Sequence, residues 1–406
     1  MNIATILKQN IAGKLINHGI VFLINIMIVR LLEVSESGFY FNELYLINLV
    51  VFFFSAGLDY SAIAWISREP GLAISVRRKL IQLVLFFIAV VLFFVLIILP
   101  QTSFHFIQTS IAIILFSIGN LILILFQGVL TAMKKFNIQN LILVSTNLCF
   151  LFYLLFFIKE DKTTIINQVS IGYGVLFFLQ GILMIFFSYE KGETNKPILN
   201  WISFFKHGSL IMFSSLIYFC FLRIDNFFVE KYSNAITLSN YIQCGKIGQY
   251  FIYFSAVISS TLLPFIATDK IATNFIEWKK MMTPYFLIIF SGAFILMFFG
   301  QYLYPFIYGK DFSEMNKYMI ILLPGYVCLG MLTLVNAIYI GKGNIKKILT
   351  GDIIGLTIVF AGDSFLIPDF GVVAAAIISS LSYVLVFLYL WIDVKKQFSQ
   401  TDNFEK

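Results

Sequence analysis

Lys, Arg, Asp and Glu are almost missing from long stretches of this chain, and that absence decides what it can fold into. They are 12% of 406 residues and gather in short patches between apolar runs. A helix needs about 20 mostly apolar residues to cross the hydrocarbon of a bilayer. Twelve runs suit that role: 11–31, 39–64, 80–99, 106–130, 140–158, 164–188, 207–229, 239–267, 284–302, 318–340, 348–362 and 371–392. The expectation is therefore an all-α polytopic membrane protein, since a helix satisfies its backbone polar groups internally. In water the same composition, 60% hydrophobic with 47 Phe, would leave large exposed apolar patches. The first run carries Lys14, Asn17 and His18 with no small-residue cleavage site after it, so a retained helix is expected rather than a signal peptide.

Basic residues between the runs set an orientation. Assigning alternate loops to opposite sides puts 20 on one face, among them Lys8, Lys14, Arg68, Arg77, Arg78, Lys79, Lys134, Lys135, Lys191, Lys196, Lys270 and Lys406. The other face holds 6: Arg30, Lys159, Lys162, Lys231, Lys310 and Lys317. The positive-inside rule makes the richer face cytoplasmic, with both termini on it. Such dispersed charge is a topology signal, so the net +7 does not point to nucleic acid. The longest outside loop, from about Leu303 to Lys317, is too short to be a folded domain.

The halves echo each other. Val29–Tyr40 leads into the second run as Val229–Tyr241 leads into the eighth, and Arg78-Lys79 is matched by Lys279-Lys280. Lys135-Phe136-Asn137-Ile138 resembles Lys342-Gly343-Asn344-Ile345. With six runs between equivalents, the reading is two six-helix lobes, 1–200 and 201–406, related as a parallel repeat. Transporters use that plan with the substrate path between the lobes, although an old duplication without mechanistic meaning would leave the same trace.

Ionisable groups in hydrocarbon cost at least ~2.5 kcal/mol each and usually meet a cavity or a partner. On the seventh run Ser215, Tyr218 and Asp225 share one stripe, while Arg223 lies about 200° round from Asp225. On the eighth, Gln243, Lys246, Tyr250 and Tyr253 make a second stripe. Asn48 and Asp59 on the second run, His18 and Asn25 on the first, and Asn120 and Gln127 on the fourth complete the cavity or ion-coupling candidates. For the uncharged residues, hydrogen bonds between helices are the competing explanation. Arg223 and Lys246 together could hold an anionic group such as phosphate, or be neutralised by Asp225 or Glu43. Asp352 reads as an acid at a helix N-terminus.

The four cysteines, Cys149, Cys220, Cys244 and Cys328, sit inside apolar runs without a CxxC pair and read as packing residues. Walker A, GxSxG and HExxH patterns are all missing, so no enzyme, metal or cofactor is expected.

Several segments resemble the O-antigen and polysaccharide lipid flippases, the Wzx type, of the multidrug/oligosaccharidyl-lipid/polysaccharide exporter superfamily. They are Ile28–Leu32 through Ser37–Tyr40 with Gly57-Leu58-Asp59, then Arg223-Ile224-Asp225 with Tyr241. Tyr308–Phe312 and Leu366-Ile367-Pro368 with Gly371 and Ala374–Ala376 follow in family order, so the likeness covers essentially the whole chain. It implies a cationic central cavity and passage of undecaprenyl-diphosphate-linked oligosaccharide across the bacterial inner membrane by alternating access. The implied partners are that lipid-linked substrate, membrane lipids and other glycan-assembly membrane proteins. Twelve spans depart from the fourteen of many relatives. A drug or metabolite exporter of the same fold, or a membrane polysaccharide polymerase or glycosyltransferase, are the alternatives.

Overall fold

Backbone N–H and C=O groups in an apolar run have no water to bond, and the chain answers with helices almost throughout. A computed structural model describes residues 3–98, 110–158, 162–189, 199–267, 275–341 and 344–404. Lys159, Lys191, Lys196, Lys270, Lys342, Gly343 and Lys406, used above for sidedness and repeat, lie outside those residues. Among the described residues there are twelve α-helices and no strand. They are α1 (Ile3–Leu31), α2 (Val34–Ser55), α3 (Leu58–Arg68), α4 (Ala73–Phe93), α5 (Ser110–Ala132) and α6 (Phe136–Phe156). Then come α7 (Lys162–Phe187), α8 (Trp201–Tyr232), α9 (Ala235–Ala267), α10 (Phe275–Tyr308), α11 (Met315–Gly341) and α12 (Ile345–Phe404).

Where they are described, the twelve expected runs are helical, in order, with two corrections to their bounds. The second run, 39–64, is not continuous: Ala56 (φ 51°) and Gly57 (φ 62°) are left-handed and separate α2 from α3. A side chain on Gly57 would also run into the backbone carbonyl of Gly208, so conformation and space both call for glycine there. The eleventh run continues past 362, and α12 is interrupted only at Gly371, whose φ of 64° and ψ of −155° are not helical. The loop expected outside, from about 303 to 317, is shorter than that, because α10 ends at Tyr308 and α11 starts at Met315.

Among the described residues ten stretches are long and apolar enough to cross a membrane. One of them, Ile345–Gln397, has 53 residues. At 1.5 Å per residue it is about 80 Å long, far more than one crossing needs. The break at Gly371 divides it into arms, 345–370 and 372–404. Side chains such as Phe306, 78% exposed, and Phe365, 77%, turn outward, as a lipid-facing surface requires.

The chain forms two compact units, Met1–Leu216 and Ile217–Lys406. The division falls inside α8, past the 200/201 boundary read from the sequence, because the first turns of α8 pack on α3. There Ser61 Oγ donates to Phe204 O at 3.0 Å, and the Trp65 and Phe204 rings are 6.0 Å apart.

In the first unit α5 is the central helix, buried over most of its length. It packs on α7 and α3 through glycines. A Cβ at Gly119 would meet the backbone of Phe177 and Phe178, and one at Gly181 would stand 2.9 Å from Gly119 O. One at Gly128 would fall 2.5 Å from Asp59 O. Small residues let helices approach this closely in a membrane, where dispersion rather than the hydrophobic effect holds them. In the second unit α9, α10 and α12 pack on α11. Gly325 on α11 approaches the backbone of Ser380, whose side-chain Oγ accepts the Gly325 N–H at 3.2 Å.

Candidate functional site

The charged residues of the second unit converge. Asp225, from the C-terminal turns of α8, is 5% exposed. Its Oδ2 accepts the hydroxyls of Tyr241 on α9 at 2.6 Å and Ser379 on the second arm of α12 at 3.0 Å. Its Oδ1 accepts the Asn226 N–H at 2.9 Å. Three helical segments thus meet at one carboxylate. The first arm of α12 adds Asp363, fully buried and within electrostatic reach of Asp225. Neither oxygen of Asp363 has a hydrogen-bond partner among the described residues.

Arg223 is 4% exposed and lies against α9 where Gly245 leaves room: a Cβ there would stand 2.9 Å from Nη1. The Tyr326 hydroxyl is 3.7 Å from the same point. Lys246, one residue on and 8% exposed, is within electrostatic reach of Arg223. So is Asp225, despite the 200° of helix between it and Arg223. Two cations and two acids therefore share one buried cluster. Tyr326, Tyr383 and Phe221 wall it, with ring centroids 6.0 and 5.2 Å apart.

Gln243, on the stripe of Lys246, is fully buried, and neither its amide oxygen nor its nitrogen has a partner among the described residues. That stripe does not stay inside: Tyr253, at its far end, is 37% exposed. Asp352 corrects the sequence reading. It lies beyond the first turn of α12, 2% exposed, with Oδ1 unpartnered among the described residues and within electrostatic reach of Tyr218. Its environment is the interior, and the helix terminus does not explain it.

The candidates of the first unit behave differently. Asn120 Nδ2 donates to Asn48 Oδ1, so these two join α5 to α2 as a hydrogen-bonded pair. A comparable link runs from Gln180 on α7 to Thr146 (2.9 Å) and Asn147 (3.0 Å) on α6, and from Asn147 to Asn17 on α1 (2.8 Å). Asp59 falls in the first turn of α3. His18 and Asn25 on α1 and Gln127 on α5 are partly exposed. Sequence reasoning missed Asp363 and Ser379. The first stood one residue past the supposed end of the eleventh run, and the second is one of many serines whose role only its partner reveals.

No family model matches the chain, and no curated protein matches it. Solved structures do. A lipid II flippase, MurJ, in an inward closed conformation aligns over 98% of this chain and 90% of its own, at 16% identity and TM-score 0.69. An inward-facing multidrug resistance MATE family transporter of the MOP superfamily aligns over 99% and 96%, at 11% identity and TM-score 0.73. A MOP superfamily transporter from Pyrococcus furiosus aligns over 98% and 96%, at 13% identity and TM-score 0.68. At these identities it is architecture that is shared, and the chain has the multi-pass helical membrane fold of these flippase and exporter structures.

Proposed function

We propose that the chain is a flippase of the bacterial inner membrane that carries an undecaprenyl-diphosphate-linked oligosaccharide from the cytoplasmic to the periplasmic leaflet, coupled to a monovalent cation. The observation carrying this reading is the burial of Arg223 and Lys246 within electrostatic reach of each other. Like charges repel strongly at low dielectric, and a bound anion offsets that repulsion. A diphosphate suits the pair because charge-assisted bonds to it are strong and Arg can engage it bidentately. Asp225 and Asp363 supply the other half: a cation between two carboxylates relieves them in turn, which gives an ion gradient a place to act.

The reading predicts that a strain lacking this chain loses surface glycan and accumulates the lipid-linked repeat on its cytoplasmic leaflet. Normal surface glycan without accumulation, in a strain with no substitute gene, would sink it. A drug or metabolite exporter is favoured by the same acid pair, since cationic cargo suits carboxylates; drug resistance on overexpression with normal glycan in the deletion strain would establish it.

Both lobe repeat and sidedness belong to the proposal. The loops holding Arg77-Arg78-Lys79 and Lys134-Lys135, and both termini, are cytoplasmic in it. Reporter fusions at the C-terminus and after Lys135 should be active only with a cytoplasmic reporter, and a periplasmic signal at either would overturn the assignment.

A further inference from the structure

One end of the first unit carries positive charge that the described chain does not neutralise. Arg77, Arg78 and Lys79 occupy the second turn of α4, just before the third apolar run. None of the three makes an ion pair among the described residues. Successive residues of a helix point about 100° apart, so the three fan out around α4. The Arg77 guanidinium lies 4.8 Å from the centroid of the Tyr189 ring, just past the end of α7. Lys79 Nζ lies 6.0 Å from the Trp201 ring at the start of α8. Arg78, between them in sequence, is exposed. A fourth cation reaches the same end of α7, where Lys135 Nζ donates to Phe187 O at 3.3 Å.

Local roles account for part of this arrangement. Lys135 meets the last carbonyls of α7, where a helix end is negative, and the faces of the two rings attract cations. Neither supplies a full negative charge to three adjacent cations. Arg77 Nε is shielded from solvent and has no acceptor among the described residues. The stretch 190–198, which follows Tyr189, holds two acids and two lysines and so brings no net charge. The same patch is apolar at its rim, with Ile202 79% exposed and Phe186 and Tyr189 exposed beside it. A small anion would satisfy the cations and leave those side chains uncovered. A ligand with an anionic head and hydrocarbon chains meets both, and clustered cations beside a crossing helix attract anionic lipids. Tyr and Trp suit that depth, since their rings favour the headgroup level.

We propose that the start of α4, with the end of α7 and the start of α8 beside it, is a binding site for one anionic phospholipid. Its phosphodiester lies over Arg78, flanked by Arg77 and Lys79, and its acyl chains run along Phe186 and Ile202. The bound lipid ties three helix ends together and so stabilises the first unit. In the orientation proposed above the site faces the cytoplasmic leaflet. It takes a bulk membrane lipid rather than a cargo, so it stands or falls separately from the flippase reading.

The test uses the full chain purified in a neutral detergent and titrated with phosphatidylglycerol, phosphatidylcholine or inorganic phosphate. Native mass spectrometry counts bound lipid, and the melting temperature is followed in parallel. Phosphatidylglycerol should bind in preference to phosphatidylcholine and raise the melting temperature, and inorganic phosphate should not raise it. Arg78→Gln should weaken phosphatidylglycerol binding about fivefold, the worth of one basic residue near a lipid surface, and Arg78→Gln with Lys79→Gln about 25-fold. The lipid-independent melting temperature shows whether Lys79→Gln disturbs the fold; if it does, the exposed Arg78→Gln alone carries the test. Lys310→Gln with Lys317→Gln removes the same charge from two exposed positions of the second unit and should bind lipid as the native chain does. Native affinity in Arg78→Gln overturns the site, and so does an equal loss in the Lys310 and Lys317 variant, which would reduce the attraction to net charge. Equal binding of the two phospholipids overturns it as well. Stabilisation by inorganic phosphate that matches phosphatidylglycerol overturns the lipid as occupant.

Discussion

Gly119→Val is expected to remove most folded protein from the membrane. A side chain at Gly119 on α5 would meet the backbone of Phe177 and Phe178 on α7, which cannot rotate away as a flexible side-chain tip would. The helices would have to separate, and the opposing approach of Gly181 to Gly119 O and Ile122 would open with them. Overpacking a well-packed interior costs about 1–3 kcal/mol and sometimes more, and a clash with backbone on the central helix of the first unit belongs at the upper end. Abundance in membranes and the melting temperature of purified protein both report it. Gly119→Ala should show the same defect in milder form. A valine variant that accumulates and melts like the native chain would mean that α5 and α7 do not pack as described.

The second large effect concerns the charges of the second unit. Asp225→Ala should lower abundance sharply. It leaves the hydroxyls of Tyr241 and Ser379 without their acceptor and strips Arg223 of a nearby negative charge. Breaking a buried charge arrangement by removing one member costs about 3–5 kcal/mol. Arg223→Ala should act in another way, with protein level near native and glycan export lost, if the guanidinium serves the substrate. The double variant Arg223→Ala with Asp225→Ala separates the roles. Recovery of both abundance and export would make the two residues a structural pair and end the assignment of Arg223 to a headgroup. Recovery of abundance with export still absent is the expected result.

The helices were readable because hydropathy reports burial in lipid directly, and Arg223, Asp225 and Lys246 stood out as charges inside apolar runs. The break at Ala56–Gly57 was not readable, since Ser-Ala-Gly interrupts hydropathy no more than many helical stretches do. The eleventh run was closed too early at 362, and that error put Asp363 outside the helix that carries it. Asp352 was misread for a related reason: an acid near a helix start has a ready local explanation, and only burial against α8 removes it. Periodicity could put Asn48 and Asn120 on polar stripes, but it could not say that each was the other's partner, because that depends on how α2 meets α5. Tyr241 and Ser379 carry no charge, so their part in the cluster depends wholly on tertiary placement.

Gly371 gives the acid cluster a mechanical property. Asp363 lies on the arm before it and Ser379 on the arm after it, while both approach Asp225. The torsions at Gly371 lie in a region that is essentially closed to residues with a side chain, and a Cβ there would meet no atom within 4 Å. Turning that single residue tilts one arm against the other with little steric resistance. The oxygen atoms around Asp225 are therefore mounted on a pivot, and their spacing becomes a function of one backbone angle.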